Sequence, residues 1–278
     1  LRPRSRAIPL HHRSWHLPDE ELAPPEFIAM SIKKILISQP QPESGKSPYY
    51  DIAARYGAEA TFRAFIEVES VTAREFRNQK VNILDHSAII FTSRIAMEHF
   101  FKLSEELRVA IPDDMKYFCI NEQVANYLQK FVVYRKRKVF YPEAGGQGEL
   151  VAIMQKHNKE TYFLPMAEDH KNDLLDLLTA KKLLFNKAIM YRTVSKKFTS
   201  EEKKEKYDMI IFFSPAGVTS LLANHEGYKQ GKTLIGGFGP ATCQAIEQAG
   251  LRLDLSAPTA GAPSMAMALE QYLKENNK

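Results

Sequence analysis

The chain has 278 residues and a mass of 31.7 kDa, with 44% hydrophobic and 26% charged residues, a balance that allows a packed core and excludes a wholly disordered polymer. No apolar run approaches the roughly 18 residues of a membrane span, and the two cysteines, Cys119 and Cys243, stand in no CxxC or metal-ligand spacing. A formal net charge of +5 and a pI near 9.0 suit anionic partners without choosing among nucleic acid, phosphates and polycarboxylates.

Residues 1–29 differ from the rest. They hold five of the 15 prolines, three of the eight histidines and the only tryptophan, Trp15, without a helical or strand period. The expectation is a disordered extension or a start placed upstream of Met30. The segment has no apolar core of a secretory signal, and with the unpaired cysteines this points to a reducing, cytoplasmic setting.

From Met30 short β-rich runs alternate with amphipathic stretches. The predicted strands are IKKILIS, EATFRAFIEVES, HSAIIFTS, MKYFCI, RKVFYP, ETYFLP, KAIMYRTV, YDMIIFFS, KTLIGGF and LRLDLS. Helices are predicted between many of them, including RIAMEHFFKLSEEL, EQVANYLQKF, ELVAIMQKH, HKNDLLDLLTAKK and PATCQAIEQAG. Such alternation implies an α/β fold of parallel sheets covered by helices. The halves also resemble each other at an offset of 121 residues: IIFTS ending at Ser93 matches IIFFS ending at Ser214, and Asn121 falls on Thr242. This pattern predicts two similar, flavodoxin-like lobes. The charge runs YRKRK and SKKFTSEEKKEKYD read as a solvated edge strand and a surface loop with a helical start; neither carries a nucleic-acid motif.

Phosphate-loop, HExxH, GxSxG and calcium-loop motifs are missing from the sequence, and the single histidines suggest no metal site. Three helix starts carry more information. In TLIGGFGPATCQAIEQAG a strand runs into Gly239, with Pro240 at the first helical position and Thr242 beyond; open N–H groups at such a start favour an anion, and a tight turn that binds nothing is the plainer alternative. In FFSPAGVTSLL, Ser214 either caps the helix or joins the amides of Ala216 and Gly217 in holding a carboxylate or phosphate. FTSRIAMEHFF repeats this with Ser93 and adds the charge of Arg94. Tyr191, on the strand KAIMYRTV, lies at the junction of the two halves, where a phenol could reach a ligand.

Taken together, KKILISQP, IIFTSRIAMEHFF, MYRTV, FFSPAGVTSLL and IGGFGPATCQAIEQAGLRLDLSAPT resemble the uroporphyrinogen-III synthase family from about Met30 to the C-terminus. The resemblance implies two α/β lobes joined by a two-stranded linker, with the active site in the cleft between them: residues 30–62 with 197–278 form one lobe, 70–188 the other, and 63–69 and 189–196 the linker. It further implies a cofactor-free lyase, without a metal, that closes linear hydroxymethylbilane to uroporphyrinogen III with inversion of ring D and loss of water. Tyr191 then matches the junction tyrosine that helps the hydroxyl depart, and Ser93, Arg94, Ser214, Ala216, Gly217, Gly239 and Thr242 bind the substrate's carboxylates. A monomer working with hydroxymethylbilane synthase as hand-off partner is expected, with neither nucleic acid nor membrane involved. The sequence departs from the family at Gln39, at Asn121 and Glu122, and at Pro165, Glu168 and Asp169. Acidic residues there would oppose a polyanion, so the second reading is a synthase-like tetrapyrrole-binding or regulatory protein without catalysis.

Overall fold

The computed structural model describes residues 31–277; the expectation for residues 1–29 lies outside them. The fully buried runs found in the sequence become central strands. In β4 (Ala88–Phe91) and β9 (Met209–Phe212) every residue is buried, as a parallel strand covered on both faces requires.

One sheet has five parallel strands. In chain order these are β1 (Lys34–Ile37), β2 (Glu59–Phe62), β9, β10 (Leu234–Phe238) and β11 (Leu255–Ala257), and in space they run β2-β1-β9-β10-β11. Counted within the lobe this is 2-1-3-4-5, the flavodoxin order. Its helices are α1 (Pro48–Arg55), α8 (Pro215–Asn224), α9 (Pro240–Gln248) and α10 (Met265–Asn276).

The second sheet is built by β4, β5 (Lys116–Cys119), β6 (Val139–Phe140), β7 (Thr161–Ala167) and β8 (Leu184–Ser195), in the spatial order β8-β7-β4-β5-β6. It has the same strand arrangement with the chain entering at a different point, a circular permutation of the first. Around it lie α2 (Ala73–Asn78), α3 (Arg94–Glu106), α4 (Glu122–Tyr127), α5 (Gln147–Gln155) and α6 (Asp173–Ala180). A sixth strand, β3 (Ile66–Ser70), runs antiparallel to the far half of β8, from Ile66 opposite Ser195 to Ser70 opposite Tyr191.

The chain therefore leaves the first sheet at the carboxyl end of β2 and returns from the carboxyl end of β8. The β3–β8 ribbon, five residue pairs and roughly 17 Å long, thus links the carboxyl edges of the two sheets. Helix α8 packs against this ribbon, where the Ser220 hydroxyl donates to the carbonyl of Phe65 and Asn224 donates to that of Lys196 at 2.8 Å.

Four sequence expectations change in detail. EATFRAFIEVES is not one strand: it breaks at Arg63 to Phe65, because Phe65 turns fully into the first lobe's core against Phe198 and Phe212. Of the last predicted strand only Leu255 and Ser256 pair with β10, joined by Ala257 beyond it, since the Asp254 carboxylate turns inward to accept from the N–H of Ile235 at 2.9 Å. YRKRK forms a 3-10 turn over Lys136–Lys138 that leads into the two-residue edge strand β6. The helix starts show that Asn121, which caps α4, corresponds to Gly239 rather than to Thr242, which lies two residues inside α9. Replacing Phe65 by alanine is expected to lower the unfolding free energy by about 3–5 kcal/mol, measurable from the urea midpoint at unchanged slope.

Candidate active site between the two carboxyl edges

In open α/β sheets ligands bind beyond the carboxyl ends of the strands, where the strand order reverses. Here that point falls between β1 and β9 in one lobe and between β7 and β4 in the other.

In the first lobe β9 is followed two residues on by Ser214, extended at φ −152°, whose hydroxyl caps α8 by accepting the N–H of Gly217 at 3.2 Å. Pro215 has no N–H, so the amide of Ala216 is the free donor of this first turn. A Cβ at buried Gly217 would stand 3.4 Å from Phe212, 3.6 Å from the Ser214 hydroxyl and 3.7 Å from that of Ser38. Ser38 follows β1, and its buried hydroxyl has no partner among the described residues; the sequence had not marked it. On the neighbouring strand Gly239 sits at φ +87°, a conformation that favours glycine, with open space where a side chain would be. Its own N–H donates to Ala257 at 2.7 Å. No side chain caps α9, which leaves the amide of exposed Ala241 without a partner in the helix. Thr242, backbone and side chain together, is only 3% exposed.

In the second lobe Ser93 repeats the geometry of Ser214, with φ −159° and its hydroxyl accepting the N–H of Ala96 at 3.0 Å. Arg94 is exposed and lies over the ring of Tyr127 at 5.4 Å.

Tyr191 is placed by a backbone irregularity. Met166 of β7 pairs with Ile189, but Ala167 pairs with Tyr191, so Met190 is an extra residue in β8. Such a bulge bends the strand and re-aims the side chain that follows. The Tyr191 ring stacks on that of His99 from α3, with centroids 4.9 Å apart and planes 15° from parallel. His99 Nδ1 lies 2.5 Å from the hydroxyl of Ser70, Tyr191's partner across the ribbon. Burial raises the phenol's pKa and Asp169 adds to this, against a smaller pull from the Ser93 hydroxyl, so Tyr191 remains a proton donor at neutral pH. Burial and Lys102 lower the pKa of His99 against Glu98, which favours the neutral imidazole.

Next to this pair, Arg192 gathers Glu75 at 2.5 Å, Glu69 at 3.7 Å and Glu168 at 3.9 Å. Of the acids that look repulsive in the sequence, Glu168 alone approaches this guanidinium, and Asp169 and Glu122 form no ion pair among the described residues. Two groups result: Ser93 and Tyr191 with His99 and Ser70, and Ser214, Ala216 and Gly217 with Ser38, beside which stand Gly239 and Thr242. Arg94 turns to Tyr127 instead. Among the described residues no cluster of His, Cys, Asp or Glu could hold a metal ion, and no helix is long and apolar enough to cross a membrane.

The model of the family Uroporphyrinogen-III synthase HemD matches residues 48–267. The chain belongs to this family. Among solved structures, uroporphyrinogen-III synthetase from Helicobacter pylori 26695 is similar at 18% identity, with 88% of this chain and 100% of that one covered and a TM-score of 0.52. A mutant uroporphyrinogen III synthase from the extremely thermophilic bacterium Thermus thermophilus is similar at 12% identity, covering 87% and 99%, with a TM-score of 0.45. Among curated proteins none matches. The Helicobacter pylori synthetase shares the fold, and the two-lobed α/β architecture is that of the uroporphyrinogen-III synthase family.

Proposed function

We propose that this chain cyclises hydroxymethylbilane to uroporphyrinogen III, inverting ring D and releasing water. The observation that carries the reading, within the family match, is a protonated, half-buried phenol stacked on a neutral imidazole where the linker ribbon meets the second lobe. Tyr191 donates its proton to the departing hydroxyl, and the resulting azafulvene is attacked through the substituted carbon of the last ring. The spiro intermediate so formed fragments and recloses with that ring inverted. The linear substrate also closes unaided without inversion, so the protein's main task is geometric control.

The substrate's acetate and propionate arms meet the helix starts: the Ser214 hydroxyl and Ala216 amide, the α9 turn at Gly239 with Thr242, and Ser93. Backbone amides suit this role because they hold anions without themselves titrating. Arg94 steers the polyanion from the rim. The lobes are 30–62 with 197–278, and 70–188, hinged on 63–69 and 189–196. The protein acts in the cytoplasm as a monomer that receives substrate from hydroxymethylbilane synthase. Glu168 and Asp169 near the phenol favour the second reading, tetrapyrrole binding without turnover.

Freshly generated hydroxymethylbilane separates the two. Type III product above the spontaneous background supports the synthase; type I product alone, at the spontaneous rate, removes it, and tight binding without turnover supports the second reading. In the same assay His99→Ala is expected to lower kcat about tenfold by freeing the Tyr191 ring, with little change in KM, while His99→Phe, which keeps the stack, restores most of the rate. Equal loss in both variants would mean that stacking is not the role of His99.

A further inference from the structure

The two lobes share a strand arrangement but differ in one covering element. In the second lobe the face that carries α3 and α4 is completed by α2, which buries Phe76 against Phe163 of β7. In the first lobe the corresponding crossover, from β2 to β9, is the excursion that builds the whole second lobe. Of that crossover, the face keeps only the buried rings of Phe65 and Phe198 and α7 (Ser200–Lys204), a five-residue helix with no buried residue. Where the missing helix would lie there is a cavity of about 600 Å³, within the size range of small-molecule sites. Its floor is apolar and aromatic, formed by Leu36 and Ile210 of the sheet, Phe65 of the linker with Phe198 just beyond it, and Leu221 of α8. It also reaches Asp208 and Thr233, which precede β9 and β10, whereas Ser214 and Gly239 follow those strands. Arg63 and Phe65, which follow β2, line it too, so the cavity runs along the face that carries α8, and none of Ser38, Ser214, Gly217 and Gly239 borders it.

Charge settles what it can accept. Three carboxylates line it, and all are engaged: Glu202 and Glu205 pair with buried Arg63, and Asp208 accepts the N–H groups of Lys33 and Lys34 at 2.8 and 2.9 Å. Four exposed lysines, Lys203, Lys206, Lys229 and Lys232, also line it, and none forms an ion pair among the described residues. An apolar floor with unpaired cations around it fits a molecule of opposite make-up.

We propose that this cavity is a second ligand site, separate from the active site, for a small amphipathic anion with an aromatic or aliphatic body and an acidic group. The apolar body rests against the half-buried rings of Tyr207, His225 and Tyr228, over a sheet face that Phe65 and Phe198 already cover, and the acidic group meets the lysines.

The test uses the full chain and the aromatic sulfonate 8-anilinonaphthalene-1-sulfonate. Fluorescence titration is expected to show one saturable site per chain. Joint Lys229→Glu and Lys232→Glu substitution should weaken it at least tenfold, while joint Lys156→Glu and Lys159→Glu substitution in the other lobe should leave it unchanged. Amide NMR shifts should gather at Leu221, Tyr228 and Thr233. Binding that ignores the first pair of substitutions, or shifts that gather at Ser93 and Ser214, would overturn the proposal. So would sedimentation as a dimer that the first pair dissolves, because the face would then be covered by a second copy. None of these readouts depends on turnover, so the proposal stands or falls apart from the synthase reading.

Discussion

Tyr191→Phe lowers kcat for type III product by about 10²- to 10⁴-fold, the usual contribution of a positioned general acid, and leaves substrate affinity nearly unchanged. The variant removes one oxygen and keeps the ring, so the stack on His99 and the strand pairing with Ser70 persist. What disappears is the proton donor. Because burial raises the phenol above its ordinary value of 10.0, the wild-type group is protonated throughout the neutral range, and its loss of activity by deprotonation belongs above that value. Products are separated chromatographically after a coupled reaction from porphobilinogen. As the enzymatic route slows, spontaneous closure takes over and the type I fraction rises. A variant that kept the full rate and full type III yield would remove Tyr191 from the chemistry.

How Tyr191 comes to lie there also shows where sequence reasoning stops. The strand that carries it, the serine caps at Ser93 and Ser214 and the glycine turn at Gly239 are local patterns: buried runs that end in a residue suited to open a helix. The bulge at Met190 is not, because nothing in KAIMYRTV marks a slip that depends on how β7 pairs beside it. His99 reads as one of several scattered histidines. Its partners come from elsewhere in the chain, Ser70 from the ribbon and Tyr191 from β8, and only the fold brings them together. EATFRAFIEVES read as one strand for a similar reason. Hydrophobic alternation reports that a segment is extended and does not report that it changes sheets. The duplication was legible at β4 and β9, where the two chains of contacts match, and slipped by three residues at the next helix, where loop lengths differ.

Arg192→Gln is expected to raise KM for hydroxymethylbilane roughly tenfold with a smaller effect on kcat. The reason is electrostatic. Glu69, Glu75 and Glu168 come from β3, α2 and the turn after β7, and Arg192 is the cation that joins all three. With glutamine in its place, up to three unpaired carboxylates add negative potential near a substrate that is itself a polycarboxylate, across the ribbon from the phenol that must meet it. The pairs are partly exposed, so the penalty is screened and should shrink as salt is added. Arg192→Lys keeps the charge without the planar fork that spans several carboxylates and should fall between wild type and glutamine. A merely structural role predicts something different, a lower melting temperature with an unchanged KM and no salt dependence, and that result would sink the electrostatic account. The expected result would instead explain how a lobe with an acid at Glu168 can lie beside a polyanion: that repulsion, visible in the sequence, is answered together with those of Glu69 and Glu75 by an arginine whose partners lie far apart along the chain.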